Sequence, residues 1–288
     1  MVLLIGFMIV CASVVAGLAI GGSNLMVLAH AGEFVLILGI SLGVIVIASP
    51  LSTLKGIVAK TIIAFKGGPV SKAEHMEVMQ MLYRFFMLAR KEGLLALEDH
   101  FADIKQSAIA RDYPNVLKNE EALKFMVDSF RPIVDGRVKP ENMQSLVDAE
   151  IKSIQGEADE PVHILHLVGD SFPGIGICAA VLGIILTMGS IAEGPEVVGY
   201  KVAAALTGTF LGVFGAYGFI NPLAVLIEAN NSAEIRYFRL IGQSIVGFTN
   251  GQAPLMAVEM GRRTLLPSER PDAEELEEVL KSAGKGKK

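Results

Sequence analysis

No charged side chain appears before Glu33, and no lysine or arginine before Lys55. A start without a basic stretch does not follow the pattern of a secretory signal. Its apolar run leads almost directly into a second one, so it reads as a retained membrane span. Cysteine is scarce: Cys11 and Cys178 both sit inside apolar runs, with no paired spacing or nearby histidine. A disulfide framework and a cysteine metal site are left without support, and both residues read as small buried positions in helices. The five histidines show no ligand spacing. No basic stripe interleaved with aromatics accompanies the net charge of -5, so nucleic acid is not an indicated partner. Strand-like alternation is missing as well, which leaves an all-α chain.

What is abundant is uncharged apolar sequence: 52% of the 288 residues are hydrophobic, and they are unevenly distributed. A helix of about 20 apolar residues crosses the bilayer core. Four stretches qualify, roughly 2–21, 34–52, 172–191 and 202–221. The distribution of lysine and arginine near their ends orients them. The 22–33 connection has neither residue and 192–201 has only Lys201, whereas 55–170 carries 15 and 223–288 carries 9. Both termini and the long middle segment are therefore assigned to the cytoplasm, with membrane lipid around the spans. A further uncharged stretch, 240–258, is interrupted by Gln243, Asn250, Gln252 and Pro254. It reads as a cytoplasmic helix–turn–helix or a helix on the membrane surface. The fold class is thus an all-α integral membrane protein. Four spans hold a helical cytoplasmic domain between the second and third, and a cytoplasmic C-terminal region follows. The expected boundaries are 1–54 for spans one and two, 55–170 for the helical domain, 171–222 for spans three and four, and 223–288 for terminal helices and a fraying basic tail.

In the middle segment, Ser71 and Glu74 have capping-box spacing, in which each satisfies an amide at a helix start. Met79, Leu82, Phe86 and Ala89 then form one apolar face, and Gly93 stops or kinks the helix. Further helices are expected at 94–105, 119–131 and 139–155, and a short acidic one at 273–280.

The expected spans hold no Asp, Glu, Lys, Arg or His; Glu33 falls just outside the second and Asp170 at the mouth of the third. A proton path through lipid ordinarily needs an ionisable relay. If ions cross here, the titrating carboxylate comes from a partner. Gly17/Gly21, Gly39/Gly43 and Gly208/Gly212 recur at four-residue spacing, which permits close helix approach within one subunit or between subunits. Pro173 and Pro222 fall at similar depth near the cytoplasmic ends of spans three and four. They mark either helix boundaries or a bend. Thr209 either bonds its own helix backbone or presents a hydroxyl to a passing ion.

Three segments now carry a resemblance: LVGDSFPGIGICAAVLGI at 167–184, GTFLGVFGAYGFINPLA at 208–224 and VEMGRRTLLPSERP at 258–271. Together they resemble the MotA family, the larger membrane subunit of the flagellar stator, and the likeness runs over nearly the whole chain. The resemblance implies a subunit of an ion-driven rotary motor in the bacterial inner membrane. It implies no cofactor, and a ring of five copies around two copies of MotB, whose membrane aspartate takes up the ion. It places rotor contacts to FliG at Arg90, Glu98 and Glu150, ion-route and coupling roles at Pro173, Thr209 and Pro222, and an alanine, Ala180, where sodium-driven relatives often carry threonine. That missing hydroxyl favours the proton as coupling ion. Neutralising the partner's carboxylate near Thr209 would change the cost of setting it against the apolar spans, so that the ring steps and the cytoplasmic domain pushes the rotor.

The alternative is an ExbB/TolQ-like proton-driven subunit serving an outer-membrane process, for which three spans are expected. A self-contained transporter would show paired broken helices or intramembrane charges, and neither is seen. A scaffold would be indifferent to Arg90, Pro173 and Thr209. An enzyme is the weakest reading, because Asp170 and Ser171 adjoin but no histidine or lysine is placed by sequence to activate the serine.

Overall fold

The computed structural model describes residues 2–22, 28, 30–68 and 70–284. Part of the 22–33 connection and the basic tail at 285–288 lie outside these. The described residues form helices, in chain order α1 (Val2–Ile20), α2 (Ala31–Ala48), α3 (Leu51–Lys66), α4 (Lys72–Glu92), α5 (Glu98–Ala102), α6 (Pro114–Leu117), α7 (Glu120–Val134), α8 (Met143–Met188), α9 (Pro195–Gly215), α10 (Asn221–Thr249), α11 (Pro254–Arg262) and α12 (Ala273–Gly284). Four helical segments are long and apolar enough to cross a membrane, as expected: α1, α2, the apolar part of α8, and the apolar part of the run from α9 into α10. The chain divides into two compact units. One holds 1–68 and 157–230, the other 69–156 and 231–288.

In the first unit, α1 buries none of its residues within this chain and α2 buries only Ile37 and Ser41. Apart from Glu33 at the start of α2, their predominantly apolar surfaces suit lipid or neighbouring chains rather than water. Cys11 and Cys178 are exposed on such surfaces, not buried as the sequence suggested. An apolar residue inside a span need not face its own chain. The segment 51–66, whose start falls within the expected second span, is a separate helix that begins after Pro50. It ends at Gly67, whose positive φ of 105° is a left-handed C-cap. Thr53 Oγ1 donates to Glu160 Oε2 (2.9 Å), and Gly56 leaves room for the Pro161 ring. Span three is not a separate helix. It is the end of α8, 46 residues long, or roughly 70 Å at the standard rise. Pro161 and Pro173 lie inside α8 without ending it, since an internal proline removes one backbone bond and packing can compensate the rest.

The second unit has the larger core. Ser71 Oγ accepts from the Glu74 amide (3.2 Å) at the start of α4, and Gly93, at φ 92°, ends that helix. Asn119 caps α7, with Glu120 and Glu121 in its first turn, where they complement the helix dipole. The helix expected at 94–105 is instead broken into α5 flanked by 3-10 turns at 94–97 and 104–106. Phe86 stacks on Phe248 (4.4 Å), Phe101 tilts against Phe130 (5.0 Å), and Phe125 meets Phe238 edge-on (5.2 Å), filling the centre. Leu240, Ile241, Ile245, Val246, Ala257 and Val258 are buried in the same core. The uncharged 240–258 stretch is therefore a helix–turn–helix of this unit, not a fifth span.

Candidate functional site

Helices α8 and α9 approach each other closely within the membrane-spanning unit. A Cβ on Gly176 would lie 2.7 Å from the Gly208 carbonyl oxygen and 3.0 Å from Gly212 Cα. One on Gly212 would lie 2.7 Å from the Phe172 carbonyl oxygen and 2.8 Å from Gly176 Cα, and one on Gly183 would meet Ala205 Cβ at 2.9 Å. Small residues on both helices thus make a seam in which backbone touches backbone. By contrast, Cβ atoms on Gly17, Gly39 and Gly43 would meet nothing within 4 Å. The glycine pairs of the sequence therefore divide: 208/212 packs this chain on itself, while 39/43 opens outward.

Ala180 and Thr209 fall along this seam. Ala180 is 7% exposed, and its backbone nitrogen would lie 3.4 Å from a Cβ on Gly208. Thr209 follows Gly208 directly and is half-buried. Thr187 and Thr207 spend their hydroxyls on carbonyls of their own helix, at 2.7 and 3.0 Å. Among the described residues Thr209 makes no such bond, which leaves its hydroxyl available.

By sequence alone Glu33 falls just outside the expected second span and is given no role. It lies in the first turn of α2, and its Cγ would be 3.5 Å from a Cβ on Gly208. A glycine at that point gives the side chain room against α9, on the side where Ala179 and Ala180 also approach. No ion pair or hydrogen bond engages the Glu33 side chain among the described residues. His30 caps α2 one turn earlier, with its ring 5.3 Å from that of Tyr200.

At the opposite end, the two prolines behave differently from helix boundaries. Pro173 is half-buried within continuous α8, and Pro222 is exposed at the second residue of α10. Between α9 and α10 the backbone widens into a π-turn at Ala216–Ile220, and the Asn221 amide donates to the Ala216 carbonyl, five residues back. Such turns are uncommon and concentrate at functional sites. Asp170 is exposed, and the Ser171 hydroxyl is taken by the Leu167 carbonyl (2.7 Å).

In the second unit, Arg90 ends α4 and Glu98 begins α5, with the Gly93 turn between them. Both are exposed, and no ion pair joins them among the described residues. Leu95, in the same turn, is 70% exposed, an apolar group among charges that charge patterning alone could not find. Glu150 stands apart on α8. It is half-buried beside α7, and burial with the nearby Asp128 pushes its carboxyl up while Lys124 opposes. His75 is buried with both ring nitrogens unpaired among the described residues, and burial lowers its affinity for a proton. It is a neutral core residue 5.6 Å from the Tyr237 ring. The Arg-rich segment at 258–271 is built around Arg262, whose Nε and Nη2 fork Glu259 (2.6 and 2.9 Å) while Nη1 donates to the Pro271 carbonyl (2.7 Å). Among the described residues no three His, Cys, Asp or Glu side chains gather as metal ligands.

Comparison with known proteins fits this arrangement. The family model described as motility protein A N-terminal matches residues 4–93, and that of the MotA/TolQ/ExbB proton channel family matches 117–239. Motility protein A of Escherichia coli (strain K12) is 34% identical over 282 residues, covering 98% of this chain and 96% of that protein. The solved C. jejuni MotAB superposes with a TM-score of 0.75 at 22% identity, over 92% of this chain and 95% of that one. The flagellar MotAB stator complex from Bacillus subtilis does so at 0.73 and 21%, over 93% and 98%. At these identities the two structures carry the fold.

Proposed function

The chain belongs to the motility protein A family, within the MotA/TolQ/ExbB proton channel family, and from that premise we propose how its residues divide the work. It is a proton-driven stator subunit of the flagellar motor, a multi-pass inner-membrane protein with cytoplasmic termini, and not an enzyme. Proteins of this type work with MotB. The observation that carries the reading is identity to a motility protein along almost the full length, joined to four spans whose central seam is closed by glycine.

The finer assignment is ours. Five copies surround two MotB helices. Ala180 and Thr209 face the route, with Ala180 giving sodium no extra oxygen and Thr209 offering a hydroxyl. Glu33 extends that route outward as an acceptor beside Gly208. The partner's carboxylate gains or loses the cost of its charge against the apolar seam as it binds and releases a proton. Pro173 and Pro222 let the cytoplasmic ends flex. Arg90 and Glu98, exposed about one sharp turn, orient the rotor protein FliG electrostatically without a large apolar contact. Glu150, apart from them on α8, contributes to rotor contact in a subsidiary role. Residues 55–170 are the rotor-contacting domain, and 223–288 support it. An ExbB/TolQ-like role fits less well, because four helices suited to spanning are present.

The test is swimming speed in a stator-less cell carrying this chain and its cognate MotB, with pH gradient and sodium varied separately. Speed should follow the proton gradient and ignore sodium; dependence on sodium would overturn the role given to Ala180. Glu33→Gln should slow swimming several-fold, with membrane content unchanged. Wild-type speed in that variant would remove Glu33 from the route.

A further inference from the structure

Pro173 and Pro222 lie on different helices, and a close contact lies between the segments that carry them. Proline has no amide hydrogen, so Pro173 leaves the carbonyl four residues earlier, on Gly169, without its helical donor. On the other helix, the π-turn at Ala216–Ile220 ends with Asn221 bonding back to Ala216, and Pro222 cannot make the next bond. Each helix is therefore weakened within one turn of Gly169 or Asn221. These two residues touch. A Cβ on Gly169 would lie 1.8 Å from Asn221 Oδ1 and 2.8 Å from its Cγ, with Ile220 Cγ2 at 3.3 Å. The carboxamide occupies the place a methyl group would take.

Asn221 Oδ1 is also buried and accepts no hydrogen bond among the described residues. Buried polar atoms are nearly always paired, and an apolar side chain could fill this notch without leaving one unpaired. A carboxamide has a second setting. Rotation about its Cβ–Cγ bond exchanges the unpaired oxygen for the NH2 group in the notch against Gly169. Two discrete settings of one side chain, between two proline-weakened helices, are what a stepping element requires.

We propose that Asn221 is a positioning residue for the torque step: seated on Gly169, it keys α10 to α8, and the resetting of its carboxamide fixes the register of the two proline-bearing segments. The inference rests on the stator reading. It assigns no proton to Asn221 and makes no bond other than a hydrogen bond.

The experiment uses the full chain with cognate MotB in the stator-less cell, reading swimming speed, chain in the membrane and MotB recovered with it. Gly169→Ala should abolish swimming, and adding Asn221→Ala to it should restore at least half the speed of Asn221→Ala alone, because the new methyl then has room. Asn221→Leu, similar in size but without the amide, should lose speed several-fold with membrane content and bound MotB unchanged. The proposal is overturned if Asn221→Leu swims at full speed, if the double variant is no better than Gly169→Ala, or if speed falls only in proportion to bound MotB. A wild-type chain that drives no swimming would sink the stator reading and this inference with it. A wild-type chain that swims while the variants break the pattern sinks the inference alone.

Discussion

Gly212→Val is expected to abolish motility and to remove most of the MotB recovered with the chain. Even the first carbon of the new side chain would lie 2.7 Å from the Phe172 carbonyl oxygen and 2.8 Å from Gly176 Cα. Those are backbone atoms, which cannot rotate away as a side-chain tip can. Overpacking a well-filled site costs about 1–3 kcal/mol when neighbours can shift. Here relief requires parting α8 from α9, and Gly183 against Ala205 closes the same seam farther along. The route for the ion would be deformed at Ala180 and Thr209 together. Gly39→Val is the matched comparison, since nothing in this chain lies within 4 Å of a Cβ there. It should leave the chain folded, so any defect it causes reports on a neighbouring chain. Membrane content, co-purified MotB and swimming speed measured for both variants decide the matter: wild-type swimming by Gly212→Val would show that the seam is not tightly closed in the assembly.

The four spans were legible because an uncharged run of the right length has few other uses. The start of α4 was legible for a local reason, as Ser71 and Glu74 announce a helix within four residues. The decoy at 240–258 was resolved by its own polar residues, and the structure puts its apolar ones against Phe86 and Phe125. Where the reading failed, the deciding information was tertiary. The shift from charged to apolar sequence near Asp170 fitted a helix boundary, yet α8 continues through Pro161 and Pro173, with Gly56 leaving room for the Pro161 ring. Glu33 carried no signal of its neighbours; its approach to Gly208, on another helix, is visible only in the fold. The π-turn before Asn221 has no propensity signal of its own. Glu259, Arg262 and Arg263 could have been read further, since their three- and four-residue spacing predicts the pairing that is found.

That pairing sets the second large expectation: Arg262→Ala should destabilise the unit formed by 69–156 and 231–288 by about 2–3 kcal/mol. Arg262 is 7% exposed, and it spends its guanidinium on both Glu259 oxygens and the Pro271 carbonyl, tying α11 to the turn before α12. Removing it leaves a mostly buried carboxylate with only Arg263 (2.8 Å) and strips the carbonyl of its donor. Lysine cannot replace the fork, so Arg262→Lys should recover only part of the loss. A pH signature separates this pair from general packing. Hydrogen bonds from Arg262, then Arg263, hold Glu259 down at about 2 against an ordinary 4.5. A carboxylate depressed by folding stabilises the fold fully above its unfolded value, and that contribution fades as pH falls toward the folded one. In the intact protein purified with MotB, thermal stability should therefore decline between pH 4.5 and about 2 partly through Glu259. In Arg262→Ala that decline should be shallower, on top of a lower midpoint at neutral pH. If the variant melts at the wild-type temperature near pH 7, the network is a surface decoration. If it melts lower but keeps the wild-type pH slope, the loss comes from the Pro271 bond and packing, and the ion pair contributes little.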